Sequence, residues 1–290
     1  MARNMHRFEE LTPYEFDLEK EKASIIYVAA GPMEYHEECN ALGTDPCMGY
    51  KWCLAAAEIT GGIVFPMVPF GPAGAKPFCG KEKIREYWKE PHFSGYTREP
   101  RIYPSLYSSR EVCYPLYMEL LETFAVEHQF KLCVFFGSHD PAAQMIKDIV
   151  STQTEGGHSC FEGGHRKISG SFHGMTVMAV GALDYNMDVI REEYAKRKIQ
   201  RISHGGMWEA SVNYAIDPEY FQTERLDETR YPQHYGVLAE EHFEGCVRPV
   251  RSEFRKFSPE FAKRIFDTTL QRFAADVKEN FRMVLEKENA

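Results

Sequence analysis

Glu34 and His36 stand two apart in the segment GPMEYHEECNALGTDP (Gly31–Pro46), and Asp45 follows near its end. In extended backbone, positions i and i+2 project to one side, so this carboxylate and imidazole enter the same cleft. Such a pair can bind zinc, manganese or iron. His139 lies in a second short segment, GSHDPA, with Asp140 next to it; His204 and Glu209 lie in a third, SHGGMWEAS, with Trp208 before the acid. Each residue also has a simpler account. Asp45 and Asp140 both precede a proline, so taken singly N-capping of a helix explains them. His139 fits a hydrogen-bonded core histidine, Glu209 a surface helix residue, and Glu37 and Glu38 solvated side chains. The three segments together are more specific than any one of them.

The elements around these residues say how they would be positioned. ASIIYVAAG (Ala23–Gly31) is a continuous apolar run of strand length, as a parallel strand covered on both faces requires. TDPCMGYKWCLAAAEIT predicts a helix with Asp45 as N-cap and Pro46 at its first position. Gly61–Gly71 reads as a second strand, about 109–128 as a helix that Pro115 can kink, and Lys131–Gly137 as a third strand. DPAAQMIKDIV restarts as a helix, and Gly174–Leu183 is a fourth strand. Strands alternating with helices imply an α/β fold, a mostly parallel central sheet flanked by helices. Ligands bind beyond the carboxyl ends of such strands, where the first two segments lie.

Three stretches break the alternation. Residues 72–107 are rich in Pro, Gly and aromatics; Phe78, Tyr87, Trp88, Phe93 and Tyr96 could wall off a small ring. Residues 151–173 read as a Gly/His/Ser loop whose His158, His165 and His173 fit no compact metal motif. From Ser258, as N-cap, a long helix carries the apolar stripe Phe261, Ile265, Phe266, Leu270, Phe273, Val277, Phe281 and Leu285. Packing on its own domain is the preferred use of that stripe over a subunit interface. With no repeat or linker, residues 1–290 are expected to form a single domain, with an insertion at about 72–107 and a C-terminal helical extension at about 258–290.

Composition narrows the partners. The chain has 290 residues, 43% hydrophobic and 27% charged, as a globular protein with a large core does, and a formal net charge of -9. With no basic stripe to neutralise phosphates, neither nucleic acid nor an anionic membrane surface is an expected partner. The N-terminal residues show no apolar signal core, and the apolar runs are strand-length. Eight cysteines with no CxxC pair are read as reduced thiols, hence a cytoplasmic location.

VAAGPMEYHEECNALGTD resembles the first motif of the creatininase family (creatinine amidohydrolase and related formamide hydrolases): a strand, then G-S-x-E-x-H-G-P-H-L-P-x-G-T-D. The spacing from Glu34 through His36 to Asp45 matches without a gap. FGSHDPA is similar to the family segment around N-G-H-G-G-N, aligning His139, and HGGMWEAS to H-A-G-E-L-E-T-S, aligning His204, Gly206, Glu209 and Ser211. Order and strand context agree from about Leu11 to Asp217.

The resemblance implies a creatininase-like fold and two divalent ions (Zn, Mn or Fe). Asp45 would bridge them, with Glu34 and His139 on one ion and His36 on the other. Creatininase takes the last carboxylate from two residues beyond the matching histidine, where this chain has Pro141; the place is assigned to Glu209, with Asp140 as the fallback. It further implies hydrolysis of a non-peptide C–N bond in a small cyclic amide or formamide-like substrate through a metal-bound hydroxide, with His204 as proton donor to the leaving nitrogen and Glu209 beside it. A homo-oligomer, a hexamer by preference, is also implied. Departures at Glu37–Cys39, Asp140–Ala142 and Met207–Ala210 would reshape the substrate pocket, with Trp208 and Asp140 as its candidate contacts, so creatinine itself is not carried over. A metal-dependent isomerase or lyase acting on a small polar carbonyl compound, and a non-catalytic metal-binding protein, are the alternatives.

Overall fold

The computed structural model describes residues 4–72, 106–162, 165–200, 202, 204–225 and 251–288. The sheet has six strands: β1 (Ile25–Ala30), β2 (Ile63–Val64), β3 (Leu132–Gly137), β4 (Glu155–Glu162), β5 (His165–Phe172) and β6 (Met175–Gly181), in the order β2-β1-β3-β6-β5-β4. β2, β1, β3 and β6 run parallel, while β5 pairs antiparallel with both β6 and β4. The helices are α1 (Pro13–Lys22), α2 (Thr44–Thr60), α3 (Arg110–Glu122), α4 (Asp140–Gln153), α5 (Met187–Lys196), α6 (Met207–Ile216) and α7 (Pro259–Glu288), with a four-residue turn of helix at Arg251–Phe254.

Why β1 and β3 are apolar at every position is visible in the two layers they serve. Alternate residues face opposite sides of a strand. Ile25, Tyr27 and Ala29 of β1 and Leu132, Val134 and Phe136 of β3 join one core with side chains of α2, α5, α6 and α7. Ile26, Val28 and Ala30, with Cys133 and Phe135, join a second core with side chains of α3 and α4. Both faces are covered, so no strand position is left for a polar residue.

The connection order creates the cleft. From β1 the chain passes through α2 to β2 on one side and later enters β3 on the other side of β1. The connections thus diverge between β1 and β3, where a crevice opens beyond the carboxyl ends of the strands. The backbone is tight there: a Cβ built on Gly137, the last residue of β3, would overlap the main chain of Ala143 in α4. Gly137→Ala is therefore expected to cost about 1–3 kcal/mol, the scale of overpacking, read as a lower urea midpoint.

Several boundaries differ from expectation. The second strand keeps only Ile63–Val64; beyond it Val68 makes an isolated bridge to Ala30. Residues 151–173 are not a loop: after α4 ends they form the β4–β5 hairpin. The helix expected at 109–128 is α3, with Pro115 inside it, continued by a π-turn at Thr123–Glu127. Neither Asp45 nor Asp140 caps its helix; the cap positions are Gly43 and His139, and both acids lie in the first turn. Ser258 does cap α7, accepting from Phe261 N–H at 3.2 Å. The stripe of α7 packs inward against the first core, with Leu285 left exposed, so it carries no argument for a subunit interface. Phe78, Tyr87, Trp88, Phe93 and Tyr96 lie outside the described residues. No described helix is long and apolar enough to cross a membrane, and Cys39, Cys47, Cys53, Cys113 and Cys133 are free.

Candidate metal centre

The loop after β1 delivers Glu34 and His36, the first turn of α2 delivers Asp45, the loop after β3 delivers His139, and the first turn of α6 delivers Glu209. All five are buried. They form two groups sharing one residue: Glu34, Asp45 and His139, and His36, Asp45 and Glu209. In the first, His139 Nδ1 lies 3.1 Å from Glu34 Oε2 and 3.2 Å from Asp45 Oδ2. In the second, His36 Nε2 lies 3.3 Å from Asp45 Oδ1 and 3.6 Å from Glu209 Oε1. Asp45 thus turns one oxygen towards each group.

Three atoms at the centre, Glu34 Oε2, His36 Nε2 and Asp45 Oδ2, are enclosed yet make no hydrogen bond of acceptable geometry. Buried polar atoms are normally satisfied, so these point to a ligand held between them. The imidazoles are oriented for that ligand. His36 Nδ1 donates to the carbonyl of Glu34 at 3.0 Å, and His139 Nε2 donates to the carbonyl of Pro72 at 3.1 Å. A carbonyl only accepts, so in the neutral ring the lone pair is left on the nitrogen that faces the cluster, the arrangement of metal-ligating histidines. One imidazole and two carboxylates per group suit zinc, manganese or iron.

Within the cluster, carboxylates and imidazoles favour one another's charged forms. Burial alone would raise the Glu34 carboxyl, but His204, His139 and His36 hold it well below its ordinary value. Burial would likewise raise Asp45, which His36 and His139 bring down. Burial opposes charge on His36, yet Asp45 and Glu209 lift it well above the usual imidazole range. The same opposition holds at His139, where Glu34 and Asp45 prevail and raise it to about 10. A histidine raised on folding adds stability below its unfolded value, near 6.5, and loses it as pH climbs through the folded one. Chelator-treated protein is therefore expected to lose thermal stability between about pH 6.5 and 10, while metal-loaded protein, its imidazoles neutral and ligated, should not. Melting curves of both forms across that range test this.

The third segment packs on the first. Gly205, at φ +66°, would place a Cβ 2.9 Å from the carbonyl carbon of His36, so glycine here serves the close approach of two loops. The His204 ring lies on the His36 ring, with centroids 4.3 Å apart. Its Nε2 donates to Tyr35 O at 3.0 Å and is 3.9 Å from Glu34 Oε1. Glu209 Oε2 accepts from Gly205 N–H, leaving Oε1 towards His36.

Comparison with known proteins adds the fold. No family model and no curated protein matches the chain. Among solved structures, creatinine amidohydrolase (creatininase) aligns at TM-score 0.64 and 14% identity, over 95% of this chain and 98% of that one. A putative creatinine amidohydrolase from Bacteroides fragilis NCTC 9343 aligns at 0.62 and 16%, over 97% and 98%. A manganese form, "Creatininase Mn", aligns at 0.62 and 15%, over 95% and 98%. The chain has a creatininase-like fold. The likeness takes in the C-terminal residues beyond Asp217 that the motifs leave unmatched.

Trp208 and Asp140, the candidate pocket contacts, supply no atom to either group of this creatininase-like chain. Trp208 belongs to the apolar core on the α6 side of the sheet and is 5% exposed, so its ring serves packing. Asp140 is exposed and contributes no atom to either group; it is Glu209 that faces His36. Glu37, expected in solvent, is buried and adopts a positive φ of 65°.

Other residues at this centre have no counterpart in the motif reading. Tyr107 donates to Glu34 Oε1 at 2.6 Å. Asn40 donates to the carbonyls of His36 (2.7 Å) and Gly205 (3.0 Å) and accepts from Asn213, which also reaches Thr44. Glu253 accepts from Met207 N–H at the start of α6 and from Tyr194 O–H, steadying the turn that bears Glu209.

Proposed function

We propose that this chain is a metal-dependent amidohydrolase that cleaves a non-peptide C–N bond in a small cyclic amide or formamide-like compound. The observation that carries the proposal is Asp45, whose two oxygens face two groups, each completed by one imidazole and one further carboxylate. The structures that share the fold include creatininases described as "Zn-Zn type" and "Mn", which supports zinc or manganese. Two divalent ions bound there supply a water acidified towards neutrality and a polarised carbonyl oxygen.

The chain's own groups take the remaining roles. Glu34, Asp45 and His139 would hold one ion, and His36, Asp45 and Glu209 the other. Gly205 N–H restrains Glu209 so that a single oxygen serves the site. His204 presents an N–H at its Nε2, on the cluster side of a ring only partly shielded from solvent. With the ring protonated at both nitrogens, the Nε2 proton passed to the leaving nitrogen would complete C–N cleavage and leave a neutral imidazole, the work of a general acid.

The test is to load the protein with zinc or manganese and incubate it with cyclic amides and formamides in 18O-labelled water. Label in the acid product is expected. An isomerised product, or turnover without label, would reject hydrolysis. The family likeness further supports a homo-oligomer, hexameric by preference, in the cytoplasm; sedimentation showing monomer alone at micromolar concentration would remove the oligomer.

A further inference from the structure

We infer that Tyr107 is a positioning residue for the first metal group, holding Glu34 to single-oxygen ligation. The inference rests on the two-metal reading and adds a residue to it. The phenol donates to Glu34 Oε1 at 2.6 Å, while Oε2 is the oxygen that faces His139 and is otherwise unsatisfied. With Oε1 committed to the phenol, the carboxylate cannot swing to offer both oxygens or exchange one for the other. That fixes the charge and the direction of the ligand, as outer hydrogen bonds do for metal-bound carboxylates.

Tyr107 is itself held in place. Leu106 N–H donates to Met33 O at 2.7 Å, pairing the segment antiparallel with the stretch that carries Glu34. Ser108 N–H donates to Gly71 O at 2.9 Å. The ring is thus fastened on both flanks by main-chain bonds. Next to Gly71, Pro72 offers its carbonyl to His139 Nε2, and Tyr117 O–H secures Phe70 O at 2.6 Å. The 70–72 and 106–108 segments are bonded to each other, and each orients one ligand of the same group: Pro72 orients His139 and Tyr107 orients Glu34. Corresponding support for the second group comes from elsewhere, from Gly205 on Glu209 and the Glu34 carbonyl on His36. Loss of the phenol should therefore weaken one ion and spare the other.

That asymmetry is the measurement. Glu209→Gln is expected to leave only the first group competent for zinc, and His139→Ala only the second. Tyr107→Phe is then added to each background, and zinc affinity is read by competition with a chromophoric chelator. In the Glu209→Gln background the affinity should fall by about 10–100-fold, the range for lost outer partners; in the His139→Ala background it should stay unchanged. Tyr107→His, which keeps a ring donor, should restore most of the loss and serves also if phenylalanine impairs folding, judged by far-UV circular dichroism of the metal-free protein. Equal weakening in both backgrounds, no weakening in either, or a folded histidine variant as weak as phenylalanine would overturn the assignment. Wild-type protein that binds two zinc ions while Tyr107→Phe changes nothing overturns this inference alone; wild-type protein that binds none overturns the two-metal reading with it.

Discussion

Asp45→Asn is expected to cut bound metal from two ions per chain to one or none, with a loss of activity beyond the ~10–100-fold that follows removal of an outer partner. The side chain keeps its size, but one oxygen becomes an amide NH2, which repels a cation and cannot ligate it. In the native chain Oδ1 is 3.3 Å from His36 Nε2 and Oδ2 is 3.2 Å from His139 Nδ1. Whichever way the amide turns, one group keeps its oxygen and the other loses it. The charge also falls by one at a point where two imidazoles and two further carboxylates meet. A fold-wide effect is not expected, because α2 is capped at Gly43 and Asp45 makes no cap bond there. Elemental analysis after gel filtration gives the answer, with circular dichroism as the control. Two ions retained per chain would deny Asp45 the bridging role.

What could be read from the residues alone follows from how locally each feature is written. Glu34, His36 and Asp45 lie within twelve residues, and the strand before them is apolar throughout, so motif and position reinforce each other. His139 and Glu209 each begin a helix near a glycine or a short polar turn, which places them without any long-range information. Asp45 was ambiguous for a physical reason. An acid before proline serves equally as a cap or as a first-turn ligand, and only the register of α2, set by Gly43, separates the two. Tyr107, Asn40 and Glu253 carry no signal of that kind. Tyr107 reaches Glu34 and Asn40 reaches Gly205 across long stretches of sequence, and each is an ordinary residue for its neighbourhood. The β4–β5 hairpin was hidden by Gly, Ser and His, which weaken strand propensity; its pairing to β6 overrides the local preference. Trp208 stands between two site residues, yet on a helix the neighbour of an inward-facing Glu209 turns about 100° away, here into the core.

His204→Asn should leave both ions bound and slow turnover by about two to four orders of magnitude, the scale of general acid–base catalysis. The structure poses a real alternative, since Glu34, His36 and His204 also lie close enough to surround an ion. The hydrogen bond favours the proton donor. His204 Nε2 faces Tyr35 O at 3.0 Å, and a carbonyl can only accept, so that nitrogen carries hydrogen. A nitrogen bearing hydrogen has no lone pair for a metal, whereas it is what a proton donor needs. His36 and His139 are arranged the opposite way, with their backbone-bonded nitrogen turned from the cluster and the other turned into it. Asparagine can keep a donor for Tyr35 O but cannot pass on a proton as an imidazolium does. Turnover is measured on a substrate found by the labelled-water experiment, beside metal content. A ligand variant such as His139→Ala should fail differently, by losing metal first. Metal lost with His204→Asn would make His204 a ligand, and undiminished turnover would leave the leaving group's proton to come from solvent.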